Sequence, residues 1–232
     1  MKNAVGTVAA AAKDHSAGLR ATANSRVRTR LAKEAGASAE IELEPGGPVV
    51  DVVLSRAREH ALLALGAPSM SRLAHLVVGG IATKAAHVLP SSLLVARRRA
   101  LGTRPGERIL VASDALDRSD QLVEFAIDLA LARRASLVLI HAARTESGAR
   151  PTRISAQIKR VSQDLGELSI VRVEPARAHA AILKTAAQEG ASLVVLSSHR
   201  KRGLRALGSV SERVVHDAPC SVLVMRPEDL RG

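Results

Sequence analysis

The 232-residue sequence has a single aromatic side chain, Phe125, and neither Trp nor Tyr. Its core must therefore be packed from Ala, Val, Leu and Ile, which suits helices lying close on a parallel sheet. Stacking of unpaired bases on aromatic platforms is not available to it. Cys220 is the only cysteine. That excludes an internal disulfide and any zinc site built on paired cysteines, and it fits a reducing, cytoplasmic setting. The sequence has no run of about 18 apolar residues, so no membrane span and no membrane partner are expected. The opening "MKNAVGTVAAAAKDHS" has a short, mostly Ala apolar stretch closed by Lys13-Asp14, so no secretion leader is expected either. The eight histidines show no metal-ligand spacing, and no metal is expected. The sequence contains no nucleophile elbow, zinc-helix motif or phosphate-binding lysine loop, and it reads as a non-enzyme.

What is present is an apolar fraction of 47% and a formal net charge of +12. The first 105 residues carry 15 Lys and Arg against 7 Asp and Glu; the rest carry 19 against 15. Such an excess attracts anions in general. The sequence has no helix-turn-helix or finger signature, so nucleic acid is not an expected partner. Weak, salt-sensitive binding to it is the second alternative.

The second half alternates in period. "RILVAS" (108–113), "SLVLIH" (136–141), "SIVRVE" (169–174), "SLVVLS" (192–197) and "SVLVMR" (221–226) are short apolar runs that read as strands. Between them lie helical patterns. One covers 119–134, with Ser119 or Asp120 able to cap it. A polar one runs from Thr152 to Leu165 and is ended by Gly166. A third, 178–189, is stopped by Gly190, and a short helix opens at Gly208-Ser209. Strands alternating with helices predict parallel βαβ units.

The first half repeats part of this pattern. "IELEPGGPVVDVVLSRAREH" (41–60) lies over "VRVEPARAHAAILKTAAQEG" (171–190), and "GGIATKAAHVLPSSLLVAR" (79–97) over "GSVSERVVHDAPCSVLVMR" (208–226). The join is "ARRRALGTRPGER" (96–108). Upstream of Ile41 the sequence predicts only an Ala-rich helical segment, Ala4 to Glu34. Nothing there matches the strand-helix-strand unit of 108–141. The expected domains are a truncated copy over 1–99 and a complete one over 106–228.

Three blocks carry a family resemblance: "ILVASD", "LVLIH" and above all "LGSVSERVVHDAPCSVLVM". With them the chain resembles the universal stress protein family, well over 106–228 and weakly over 40–99. The resemblance implies an α/β, flavodoxin-like five-stranded parallel sheet of order 3-2-1-4-5, with an incomplete second copy at the N-terminus. It also implies pairing through the last strands, Ser92–Arg97 with Ser221–Arg226, within or between chains. The function expected is a non-catalytic stress-response role through self-association, with nucleotide sensing as an addition; an ATP-binding member with a modified phosphate loop is the first alternative.

Many members bind ATP, through a motif written G-x-x-G, nine residues, then G-S or G-T. Glycines let backbone approach phosphate, and the Gly-Ser pair opens a helix whose free N–H groups favour anions. Carried over, the site is Ser113 and Asp114 at the end of the first strand, Ala142 against the adenine, Ser197 and Arg200 where the two glycines belong, then Gly208, Ser209, Val210 and Ser211. The departures are plain: two glycines are replaced and the loop is seven residues rather than nine. In the first copy the spacing survives, as Gly66, Ser69, Gly79 and Gly80. Two readings stay open. Arg200 and Lys201 supply charge to the phosphates of ATP, or Arg200 fills the pocket.

Several of these residues have a structural explanation beside the functional one. Ser209 and Glu212 form a capping box that needs no ligand and contributes about 1 kcal/mol. Asp114 either meets a ribose or holds the following turn. His141 and His216 read as structural, and Cys220 as buried and unreactive.

Overall fold

The computed structural model describes residues 6–9, 39–42, 49–58, 60–67, 91–97, 106–116, 118–142, 151–174, 176–198 and 209–226. The chain divides into two compact units, Met1–Arg56 and Ala57–Gly232. In the first, β1 (Gly6–Ala9) pairs in parallel with β2 (Ala39–Glu42). The sequence expects helix over Ala4–Glu34, so a strand at Gly6–Ala9 corrects that expectation. "GTVA" is too short for periodicity to tell strand from helix, and the pairing with β2 decides it. Helix α1 (Val49–Ala57) follows and crosses the boundary between the units.

The second unit is built on one sheet of seven strands. These are β3 (Leu62–Ala67), β4 (Ser92–Arg97), β5 (Arg108–Ser113), β6 (Ser136–Ala142), β7 (Ser169–Glu174), β8 (Leu193–Ser197) and β9 (Ser221–Met225). Their order is β3-β4-β9-β8-β5-β6-β7. The last five strands are parallel throughout and, numbered within themselves, run three-two-one-four-five, as the resemblance implies. The helices are α2 (Ser119–Arg133), α3 (Pro151–Leu165), α4 (Ala178–Gln188) and α5 (Ser209–Asp217).

The central strands β5, β6, β8 and β9 are buried on both faces, which explains why the sequence shows them as continuous apolar runs. Successive side chains alternate between the faces. Ile109, Val111, Leu137, Leu139 and Val195 meet Leu122, Ala126, Ala130, Val161 and Leu165 of α2 and α3. The alternate residues Leu110, Val138, Ile140, Val194 and Val222 are equally buried. The core is almost all Ala, Val, Leu and Ile, with Phe125 only partly buried against it. Gly166 and Gly190 have positive φ, 52° and 63°, where α3 and α4 give way to the next strand. A side chain strains that conformation and glycine does not.

Strand β4 joins β9 antiparallel, with Leu93 opposite Val224, Leu94 opposite Leu223 and Val95 opposite Val222. The contact is reciprocal. The Arg97 backbone N–H donates to Ser221 Oγ at 3.0 Å, and the Arg226 N–H donates to Ser92 Oγ at 3.0 Å. Leu94 continues the core across this seam. The Arg97 guanidinium closes the end of α5. It donates to the carbonyls of Val215 at 2.6 Å, His216 at 3.2 Å and Cys220 at 3.4 Å. A cation on the last carbonyls of a helix satisfies acceptors that have no intrahelical donor. Burial pulls the Arg97 pKa down, while Cys220 and Asp217 work against that pull.

Arg97→Ala leaves those carbonyls without their donor and is expected to lower unfolding free energy by about 2 kcal/mol. Arg97→Lys should recover only part, because an ammonium lacks the guanidinium fork. Urea unfolding checks this: equal midpoints for Arg97→Ala and the parent would refute the assignment.

Candidate functional site

In an open parallel sheet the crevice lies beyond the carboxyl ends of the strands, where the order reverses. Here the reversal is at β5, with β6 on one side and β8 on the other. Ser113 ends β5 and Asp114 follows it, Ala142 ends β6, and Ser197 ends β8. Helix α5 leads back from this edge to the start of β9, so its first residues, Ser209, Val210 and Ser211, lie at the same edge. The topology therefore gathers these seven sequence-predicted positions along one rim. Arg200 and Gly208 lie outside the described residues, as do Lys201, Ser69, Gly79 and Gly80.

At the tip of β5 the chain turns sharply. Ala115 has φ 56°, an uncommon conformation for a residue with a Cβ, and is buried. The Ser113 hydroxyl accepts the Ala115 N–H at 3.2 Å. Asp114 stands exposed between them, and its Oδ1 accepts the Leu116 N–H at 3.0 Å. Of the two uses the sequence leaves open for Asp114, the turn contact is thus made, through Oδ1.

Below this turn lies a polar cluster. The Ser113 Oγ donates to Gln157 Oε1 at 2.7 Å. The Gln157 Nε2 donates to Ser119 Oγ at 2.9 Å and to Asp120 Oδ1. Arg153 forms an ion pair with Asp120 at 3.2 Å and donates to the Ala115 carbonyl at 3.4 Å. Ser113, Ser119 and Gln157 are all buried. A buried polar group costs stability unless its hydrogen bonds are made, and these are made with each other.

This cluster corrects one expectation. Neither Ser119 nor Asp120 caps α2; Arg118 occupies the cap position, with no side-chain bond. The Ser119 hydroxyl is taken instead by the Leu116 carbonyl at 2.7 Å and by Gln157. Gln157 and Arg153 were not singled out in the sequence. The signal for Gln157 was there: it falls in helical register with Val161 and Leu165, a polar residue on the apolar stripe of α3.

His141, next to last in β6, lies opposite Ser113 and is buried, with 3% of its surface exposed. Its Nε2 has no hydrogen-bond partner. Burial lowers its pKa, and a hydrogen bond to the Ser113 backbone and the Asp114 charge partly oppose the shift. Cys220 is buried. Among the described residues no group of three or more His, Cys, Asp or Glu is placed to hold a metal ion. Among the same residues no helix is long and apolar enough to cross a membrane.

The comparisons with known proteins agree with this geometry. The sequence profile of the universal stress protein family matches residues 106–226. A curated protein from Coxiella burnetii, universal stress protein A homolog 2, is 34% identical over 144 residues, 52% of this chain and 94% of that protein. The crystal structure of a universal stress protein from Archaeoglobus fulgidus superposes with a TM-score of 0.72 at 21% identity, over 90% of this chain and 76% of that one. A protein of unknown function from Pseudomonas aeruginosa superposes with a TM-score of 0.70 at 19% identity, over 97% and 83%. The last two likenesses establish the fold.

A folded-state pKa held below the unfolded value means that the unfolded chain takes up the proton more readily. The neutral His141 ring therefore contributes its full share of stability above the unfolded pKa of about 6.5, and that share is lost as pH falls below it. In urea unfolding between pH 8 and pH 5.5, the parent should weaken more than His141→Gln. Parallel pH profiles would contradict the shift.

Proposed function

The chain belongs to the universal stress protein family, and we propose that it is a non-catalytic stress-response protein that takes an adenine nucleotide, ATP first, on the rim of β5, β6 and β8. The observation that carries this reading is Asp114. Its carboxylate stands exposed at the tip of the strand where the sheet order reverses, on a left-handed turn, along the same rim as the start of α5.

The chemistry follows from the positions. One Asp114 oxygen is engaged by the Leu116 N–H, and the carboxylate accepts the ribose hydroxyls. The Ala142 backbone lies against the base. The N–H groups of Ser209, Val210 and Ser211 open α5 without intrahelical acceptors, and they attract phosphate together with the helix dipole, worth about 0.3–1 kcal/mol at an exposed site. Ser197 ends β8 on the phosphate side, and three residues further along the sequence Arg200 offers a guanidinium for phosphate where other members have glycine. Binding without turnover is supported by the polar cluster under Asp114. Gln157 and the Ser113 and Ser119 hydroxyls are engaged with one another.

We also propose that the chain is a tandem of two copies of the family fold. In the first copy, β1, β2, β3 and β4 stand for strands two to five. The spacing supports this: β1 and β2 start thirty-three residues apart, as do β6 and β7. The seam supports it too, since Leu94 faces Leu223, its own counterpart in the repeat. Self-association through the last strand is then satisfied within one chain.

Calorimetric titration with ATP, with and without magnesium, tests the nucleotide reading. A nucleotide at a hundredfold excess over its Kd should raise the melting temperature by about 5–10 °C. Asp114→Ala should lose most of that shift, and Arg200→Gly should weaken ATP more than AMP. No heat and no stabilisation at millimolar nucleotide would mean that the pocket has been filled.

A further inference from the structure

We propose that Gln157 is a positioning residue: from α3 it fixes the left-handed turn at Ala115 and thereby the direction in which Asp114 is presented. The ligand in this inference rests on the nucleotide reading above; the clamp itself does not.

A residue with a Cβ holds a left-handed conformation only where its surroundings over-determine it. At Ala115 both backbone groups are held. Its N–H is accepted by Ser113 Oγ at 3.2 Å, and its carbonyl accepts from Arg153 Nη1 at 3.4 Å. Each holding group is itself fixed. The single proton of the Ser113 hydroxyl goes to Gln157 Oε1 at 2.7 Å, which leaves a lone pair for the Ala115 N–H. Arg153 is fixed by its ion pair with Asp120.

Gln157 joins the two arms. Its amide has one orientation that fits: the oxygen toward Ser113, and the two N–H bonds toward Ser119 Oγ and Asp120 Oδ1. The reverse orientation sets an amide oxygen against the Asp120 carboxylate. The amide is almost wholly buried, with 4% of the residue exposed, so water does not compete for its partners. Turn, α2 and α3 are thereby locked into one unit at the point where Asp114 emerges. Asp114 takes its backbone direction from Ser113 on one side and Ala115 on the other, and both are set by Gln157.

The isosteric variant Gln157→Glu tests this. It puts a carboxylate oxygen where the amide nitrogen met Asp120, without changing side-chain volume. The double variant Gln157→Glu with Asp120→Asn restores a donor facing the introduced carboxylate and keeps an oxygen facing Arg153. Two quantities are read on the full chain: hydrogen exchange of the Ala115 amide, and the Kd for magnesium ATP. Gln157→Glu should speed Ala115 exchange and weaken ATP about tenfold, the effect of one lost charge-assisted hydrogen bond. The double variant should recover both. A simple loss of packing would not be rescued by a second substitution that exchanges donor for acceptor. If Gln157→Glu does not fold, Gln157→Met keeps the side-chain length, removes the amide's hydrogen bonds while leaving the Ser113 acceptor in place, and should loosen the same Ala115 amide. Unchanged Ala115 exchange overturns the clamp, and a loosened turn with parent-like affinity overturns its link to the ligand. If the parent binds no nucleotide, the reading in the preceding subsection fails, while Ala115 exchange still decides the clamp.

Discussion

Pairing of β5 with a parallel strand on each side is the constraint from which the rest follows. β6 lies along one edge and β8 along the other, so β5 has no free edge and the sheet order turns around it. Ile109, Leu110 and Val111 are wholly shielded from water. Burying three such side chains contributes on the order of 5–9 kcal/mol before entropy is counted. Because the order turns here, the helices of one side diverge from those of the other beyond the tip of β5. The chain must leave that tip in a tight turn, and the turn carries Asp114.

The turn is costly in isolation. A left-handed alanine, a buried serine and a buried glutamine each oppose folding on their own. They are tolerated because they satisfy one another through Gln157, Ser119, Asp120 and Arg153. The seam between β4 and β9 solves a different problem, that of an exposed strand edge. There Ser92 and Ser221 each receive the N–H of the other strand's terminal arginine, and Arg97 finishes α5. The two devices are independent: one shapes the rim, the other closes the last edge of the five-stranded array.

Much of this was legible in the sequence. Strands β5 and β7 lie where the short runs place them, to the residue: β5 is central and almost wholly apolar, and β7, the edge strand, is marked by its β-branched residues between helical segments. The strand order and the rim positions came from the family resemblance rather than from periodicity. What was not legible depends on contacts distant in the chain. Ser113 and Gln157 are 44 residues apart, Ser119 and Gln157 are 38 apart, and no local pattern announces either bond. Ser119 looked like a cap because capping is the local use of a serine; a tertiary partner took its hydroxyl. Ala115 gave no sign of a left-handed backbone, since glycine and asparagine are the residues that normally mark one. The four residues of β1 are too few to show a period, and only β2 beside them makes them a strand.

The most direct measurement is the backbone amide spectrum of the isotopically labelled protein on addition of ATP. The account requires the shifts to concentrate at residues 113–116, at Ala142, at Ser197 and Ser198, and at 209–211, with Ala115 among the largest. Shifts scattered over the arginine-rich surface and leaving the tip of β5 unmoved would contradict it.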